Sequence, residues 1–248
     1  MGKVLQKIKE IFFPSGYKCL ICKDELDGTS DKQICSKCES KLKFTEGKIC
    51  EKCGQPIKTD ANFCMRCKNK VPEYSFARAP FIYDGIIIKL IKNLKYDGRK
   101  YVAKTLSKYI YDEFEKSGFS ADIVIPVPLS DKRFKKRGFN QAELLSVAFK
   151  DHGYDVRTDL LVRVKDTDTQ THLSREEREA NVEDAFKVLN KKELKDKNVV
   201  LIDDVYTTGS TCNECAKVLK KAKVGKIYVF TVAHTIIEDA FNQNARQQ

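Results

Sequence analysis

Two acids followed by a run of hydroxyls form the densest cluster of reactive side chains in the chain. In Val199-Val-Leu-Ile-Asp-Asp-Val-Tyr-Thr-Thr-Gly-Ser-Thr211, an apolar stretch ends on Asp203 and Asp204. Past Val205 and Tyr206 it runs into Thr207, Thr208, Gly209, Ser210 and Thr211. Such an apolar stretch reads as a strand over 198–203 buried on both faces, and open α/β sheets bind ligands beyond the carboxyl ends of such strands. The hydroxyl-rich bend leads into a helix predicted over 209–223. Its first backbone N–H groups are free and carry a partial positive charge, which makes a cup for phosphate. The carboxylates just upstream face a hydrogen-bond donor such as a sugar diol, or a bound cation. A phosphorylated ribose supplies both features. The plainer alternative is an acidic strand end followed by a capped helix. Two other phosphate-binding patterns, G-x-x-x-x-G-K-[ST] and G-x-G-x-x-G, are missing from the sequence.

The cysteines offer a second chemistry. Eight of the ten form C-x-x-C pairs: Cys19/Cys22, Cys35/Cys38, Cys50/Cys53 and Cys64/Cys67. A two-residue gap lets one tight turn aim both thiolates at a single ion, and two such pairs close a tetrahedral four-thiolate site suited to Zn2+. Two structural zinc ions are expected, supplying much of the folding free energy of a segment poor in large apolar residues. The simplest grouping joins neighbours: Cys19, Cys22, Cys35 and Cys38 in one site, Cys50, Cys53, Cys64 and Cys67 in the next. Nested and interleaved groupings fit the spacing too, and disulfides or a redox switch are the other uses of such a pattern. Gly54, after Cys53, suits a turn that needs positive φ. Cys212 and Cys215 share the spacing but fall on one stripe of the helix over 209–223 with Ala216, Leu219 and Ala222. They read as buried apolar side chains.

These groups need a frame. The cysteines stop before Val71-Pro72, which divides the chain into two expected domains. Residues 1–72 hold a lead-in helix and a double zinc ribbon. Residues 73–248 hold an α/β domain. The lead-in helix places Val4, Leu5, Ile8, Ile11 and Phe12 on one face before Pro14 stops it. That face docks on the protein's own body or lies on a membrane surface. In the second domain, strands over 76–83, 121–129, 160–164, 185–188, 198–203 and 226–233 alternate with helices. One helix starts at Asp84, and others cover 99–116, 139–150 and 209–223. Alternation of this kind predicts a mainly parallel sheet flanked by helices.

Composition sets the bounds. With 248 residues, 42% hydrophobic and 33% charged, the chain can build a core and is not a disordered segment. No apolar run approaches the ~18 residues of a membrane span. The lysine-broken N-terminus lacks the apolar stretch of a signal peptide, and Gln6 stands where a myristoylation signal has Ser or Thr. A cytoplasmic protein is expected. The formal charge is +11, but a zinc ion held by four thiolates carries −2. Two such sites lower the total to about +7, a mild case for polyanion binding.

The acid-and-hydroxyl motif resembles the phosphoribosyl-pyrophosphate (PRPP) motif of type I phosphoribosyltransferases. Ile125-Pro-Val-Pro-Leu129, Arg137-Gly-Phe-Asn-Gln-Ala142 and the series Gln170, Leu173, Arg178, Asn181, Phe186 extend the likeness. Together with the cysteine-rich start they resemble the ComF family of competence-associated, phosphoribosyltransferase-like proteins, from Cys19 to about His234. The resemblance implies the α/β fold of type I phosphoribosyltransferases, with Asp203 and Asp204 on the ribose hydroxyls. The backbone and hydroxyls of Thr207, Thr208, Gly209, Ser210 and Thr211 would hold the 5′-phosphate, with Val205 and Tyr206 also in the substrate site. Val127, Pro128 and Leu129 would bind pyrophosphate, often through an unusual peptide geometry. Arg137 would neutralise it, and Arg178 would reach it from a mobile loop over 165–181. Mg2+ would accompany PRPP, and the chemistry would be displacement of pyrophosphate at the anomeric carbon. The resemblance also implies natural transformation, with single-stranded DNA or a DNA-uptake helicase as partner. In the alternative the protein is a non-catalytic adaptor: the zinc module grips those partners, and the transferase domain is a scaffold or PRPP sensor. Lys132, Arg133, Lys135 and Lys136 read as a solvated basic loop or as ligand contacts. His172, in the loop over 165–181, reads as incidental or as an acid–base group.

Overall fold

The computed structural model describes residues 18–26, 32–58, 60–165 and 182–236. The expected lead-in helix, Arg178 and His172 lie outside the described residues. The chain forms two compact units, 1–43 and 44–248. In the first, a bridge between Lys18 and Glu25 and the short helix α1 (Ser36–Glu39) frame the first four cysteines. Residue 72, where the cysteines stop, falls inside the second unit.

That second unit is built on a parallel sheet. Its strands are β1 (Phe76–Arg78), β2 (Phe81–Ile82), β3 (Ile123–Pro126), β4 (Asp155–Val156), β7 (Val199–Tyr206) and β8 (Ile227–His234). They run in the order β1-β8-β7-β3-β4, with β2 also on β8. A separate antiparallel pair joins β5 (Leu161–Arg163) to β6 (Phe186–Val188). The central strands are mostly apolar because both faces are covered, with Asp203 and Asp204 near the end of β7 and Thr231 and His234 in β8 as the polar exceptions. On one face, Phe114 of α4 (Tyr101–Lys116) packs edge-on against Phe230, with Phe149 of α7 (Val147–Asp151) beside it. On the other, α9 (Ser210–Lys221), the β5–β6 pair and the second cysteine group share one core. There Cys50, Cys53, Cys64 and Cys67 cluster with Leu201, Val229, Phe186 and Leu219. Cys212 and Cys215 fill the same core as apolar side chains, as their helical stripe predicts.

Several elements depart from the expected ranges. The strand expected over 198–203 runs on to Tyr206, because β8 keeps pairing with it through Val205↔Ala233 and Tyr206↔His234. The strand expected over 76–83 breaks at residues 79–80, where Pro80 offers no N–H to the ladder. The helix over 139–150 splits at Ser146 into α6 (Gln141–Leu145) and α7; the Ser146 hydroxyl donates back to the Ala142 carbonyl at 2.9 Å. The basic segment after Ser130 is not a loop. It is helix α5 (Asp131–Arg137), opened by the Ser130 cap and closed by Gly138 at φ +76°. Further on, Asn190 caps the short α8 (Lys191–Leu194).

β3 ends opposite Ile202, through the pair Pro126↔Ile202. From Asp203 onward β7 therefore has β8 on one side and an open edge on the other. The cleft lies at this opening.

Candidate functional site

The cleft has a volume of about 750 Å3, and its floor is the end of β7. Successive strand side chains point to opposite faces, so the two acids meet different neighbours. Asp204 is buried, and its Oδ1 accepts a 2.8 Å hydrogen bond from Lys95 Nζ at the end of α3 (Gly85–Tyr96). Its Oδ2 is buried with no hydrogen-bond partner among the described residues. Asp203 Oδ1 accepts from the Asp204 backbone N–H at 2.8 Å. Burial, reinforced by the charge of Asp204, pushes the Asp203 carboxyl up to about 7, while Lys95 and Arg163 act the other way. Burial alone would depress the Lys95 ammonium, but its contact with Asp204 more than offsets this and holds it above its ordinary value.

Beyond the acids, Gly209 takes φ +78° and opens α9. The Thr208 and Ser210 hydroxyls lie 2.6 Å apart, hydrogen-bonded to each other. A Cβ on Gly209 would come within 2.2 Å of the Tyr206 hydroxyl. That hydroxyl cannot step aside, because it is hydrogen-bonded to Tyr74 inside the core. Gly209→Ala combines a left-handed backbone penalty with this collision. It is expected to cost about 2 kcal/mol or more, seen in thermal unfolding as a Tm lower by about 4–8 °C. An unchanged Tm would contradict this packing.

The opposite wall is the turn after β3. The Val127 N–H donates to the Ile202 carbonyl at 2.9 Å, and the Val127 carbonyl accepts from Asn140 Nδ2 at 3.1 Å. No cis peptide occurs among the described residues, so this turn lacks that form of unusual geometry. Arg137, half-buried, is anchored by Gln141 Oε1 and lies 5.7 Å from the Tyr96 ring centre. Burial lowers its pKa against the pull of Asp204.

The structure thus brings Val127, Pro128, Leu129, Arg137, Asp203, Asp204 and the whole run 205–211 to the walls of one cavity. Arg178, expected at the same site, lies outside the described residues. Sequence reasoning missed Lys95, Tyr96, Arg163 and Gln141, which line the same cavity. It left Arg133 and Lys136 undecided, and both reach it from α5.

The eight ribbon cysteines gather as neighbouring pairs: Cys19, Cys22, Cys35 and Cys38 in one group, Cys50, Cys53, Cys64 and Cys67 in the other. Within each, all four sulfurs lie within 4.8 Å of one another. Tetrahedral zinc with Zn–S of about 2.3 Å places sulfurs about 3.8 Å apart. Cys22 Sγ and Cys35 Sγ are separated by 3.8 Å, Cys53 Sγ and Cys64 Sγ by 3.7 Å. Backbone N–H groups face the sulfurs, from Cys35 to Cys19 at 3.5 Å and from Cys64 to Cys50 at 3.3 Å. Both tetrads fit structural zinc. Gly54, at φ +74°, forms the knuckle of the second and lies so close to β1 that a Cβ would meet the Ala77 carbonyl oxygen at 2.4 Å.

Among the described residues no helix is long and apolar enough to cross a membrane. Comparison with known proteins gives two family matches: "Double zinc ribbon domain" over residues 8–69 and "Phosphoribosyl transferase domain" over residues 100–243. Competence protein F of Haemophilus influenzae is 31% identical over 225 residues, covering 88% of this chain and 96% of that one. DNA utilization protein YhgH of Escherichia coli K12 is 30% identical over 209 residues, covering 82% and 91%. Competence protein ComFC of Bacillus subtilis is 29% identical over 212 residues, covering 82% and 84%. The chain belongs to the family of competence protein F, in which a double zinc ribbon precedes a phosphoribosyl transferase domain.

Proposed function

We propose that the cleft binds PRPP together with Mg2+ and that the protein uses this ligand in DNA uptake. One observation carries the reading: the two acids with the hydroxyl-rich helix start just after them, and the turn at 127–129 with Arg137 from a distant part of the chain, line one cavity. The N–H groups at the start of α9 and the Thr208 and Ser210 hydroxyls suit the 5′-phosphate. Asp203 and Asp204 suit the ribose hydroxyls, which donate hydrogen bonds. The turn at 127–129 suits pyrophosphate, with Arg137 supplying positive charge. The unpartnered Asp204 Oδ2 and the raised Asp203 carboxyl are what a bound cation or sugar diol would satisfy. Asp203 and Asp204, with ligand oxygens, would hold Mg2+, which would offset charge on the pyrophosphate.

If the protein turns PRPP over, the bond between the anomeric carbon and pyrophosphate breaks. Pyrophosphate leaves with the electron pair, and an acceptor's lone pair forms the new bond. The chain's own part is to fix both ends of the sugar and stabilise the separating charges. The competence and DNA-utilization names of the relatives support DNA uptake as the setting, with single-stranded DNA or the uptake machinery as partner.

Titration calorimetry of PRPP with Mg2+ tests the reading. Cation binding needs Asp203 ionised. With its carboxyl near 7, the ionised fraction rises about tenfold from pH 6 to pH 8. Affinity is expected to rise by about the same factor over that range. In Asp203→Asn this gain should vanish, leaving only the titration of the ligand's own phosphates. No binding at pH 8 would refute the proposal, and binding without pyrophosphate release would identify a PRPP sensor.

A further inference from the structure

The second ribbon lies directly beneath the bend at 207–210. Arg66, between Cys64 and Cys67 in α2 (Met65–Asn69), donates from Nη1 to the Thr207 carbonyl at 3.4 Å. Its guanidinium carbon lies 5.7 Å from the centre of the Tyr206 ring. Tyr74, just after the ribbon, meets the Tyr206 hydroxyl with its own, and that pair fills the space under Gly209. The Glu73 N–H donates to Asn213 Oδ1 at 2.8 Å in the first turn of α9, and Lys220 pairs with the Glu73 carboxylate at 2.9 Å. Four of these contacts thus reach the bend at 206–209 or the first turn of α9, while the Lys220 pair holds the far end of that helix. Cys53, Cys64 and Cys67 share a core with Tyr74 and Tyr206.

We propose that the second metal-binding ribbon is the buttress of the phosphate loop, so that metal held by Cys50, Cys53, Cys64 and Cys67 and ligand held by residues 207–211 stabilise each other. Arg66 and Tyr74 are the positioning residues. The metal fixes the turn that carries Arg66. Arg66 fixes the Thr207 carbonyl, and the Tyr74–Tyr206 pair supports Gly209 from below. Linkage makes the effect reciprocal: whatever metal occupancy adds to ligand affinity, ligand adds to metal retention. The first tetrad lies in the other compact unit and supplies none of these contacts. The inference concerns the loop's support, and its ligand arm rests on the PRPP reading.

The test uses the full chain with both zinc ions bound, as wild type, Arg66→Ala, Arg66→Lys and Tyr74→Phe, zinc content being measured for each. Without ligand, amide hydrogen exchange at 207–211 is expected to quicken about tenfold in Arg66→Ala, from loss of a charged hydrogen bond. Arg66→Lys should recover part of this. Tyr74→Phe, which removes a single oxygen, should give a smaller rise. With PRPP and Mg2+, peptide-resolved thiol alkylation should slow about tenfold at Cys50, Cys53, Cys64 and Cys67. The rate at Cys19, Cys22, Cys35 and Cys38 should not change. Unchanged exchange in both Arg66→Ala and Tyr74→Phe would overturn the buttress, as would equal protection of the two tetrads. If PRPP fails to bind the wild type while Arg66→Ala still loosens the 207–211 amides, the PRPP reading falls and the buttress stands.

Discussion

PRPP with Mg2+ is expected to stabilise the wild type against heat, and replacing Asp203 and Asp204 together by Asn is expected to abolish that effect. At a ligand concentration of 100 times Kd, mass action stabilises the folded state by about 2.7 kcal/mol. For a domain of this size that is a Tm rise of roughly 5–10 °C. Without the carboxylates, the ribose hydroxyls and the cation lose their acceptors, and the rise should fall below about 1 °C. The comparison must be made against each variant's own baseline, because Asp204 also partners Lys95. Removing the acid alone strands a half-buried ammonium, a change that costs up to about 3–5 kcal/mol for a fully buried pair and less here. Lys95→Met combined with Asp204→Asn should recover that baseline without restoring the ligand effect. A shift that persists in the double Asn variant would move the ligand elsewhere.

The second large effect concerns where the chain can be cut. Removal of residues 1–43 takes away one compact unit and leaves the core of 44–248 whole. Cooperative unfolding should survive. Removal of residues 1–72 strips Cys50, Cys53, Cys64 and Cys67 out of the core they share with Leu201 and Val229. It also removes Phe44, whose ring lies 5.0 Å from that of Phe81. Uncovering roughly 200 Å2 of apolar surface costs about 5 kcal/mol, against a whole-domain stability of about 5–15 kcal/mol. The longer truncation is expected to be insoluble or to lose its cooperative transition in circular dichroism. The same contrast should hold for single ligands, with Cys64→Ser lowering the Tm of the α/β unit far more than Cys38→Ser. Equal behaviour of the two truncations would contradict the shared core. Any test of the zinc module in DNA binding should therefore cut after residue 43.

Much of the site could be read directly because its parts are local. C-x-x-C pairs, a buried strand ending in two acids and a hydroxyl-rich helix start are short patterns with a physical reason for each spacing. The stripe carrying Cys212 and Cys215 was legible for the same reason. What could not be read depends on contacts across the fold. Lys95 looks like any polar residue of an amphipathic helix, and only packing brings it to Asp204, 109 residues away. Arg66 reads as one more basic residue in a ribbon until the ribbon is seated under Thr207. The basic run at 131–137 reads as a loop because its cap at Ser130 and its stop at Gly138 are weak signals beside so many charges; it is a helix, with no buried residue. The true end of β7 is set by β8, a partner that the apolar run itself does not reveal.

A crystal structure of the zinc-loaded chain soaked or grown with PRPP and Mg2+ bears most directly on the central claim. The account predicts the 5′-phosphate against the amides of residues 208–211, the ribose hydroxyls on Asp203 and Asp204, and pyrophosphate at the 127–129 turn beside Arg137. A ligand bound outside this cleft, or a cleft that stays empty at saturating PRPP, would contradict it.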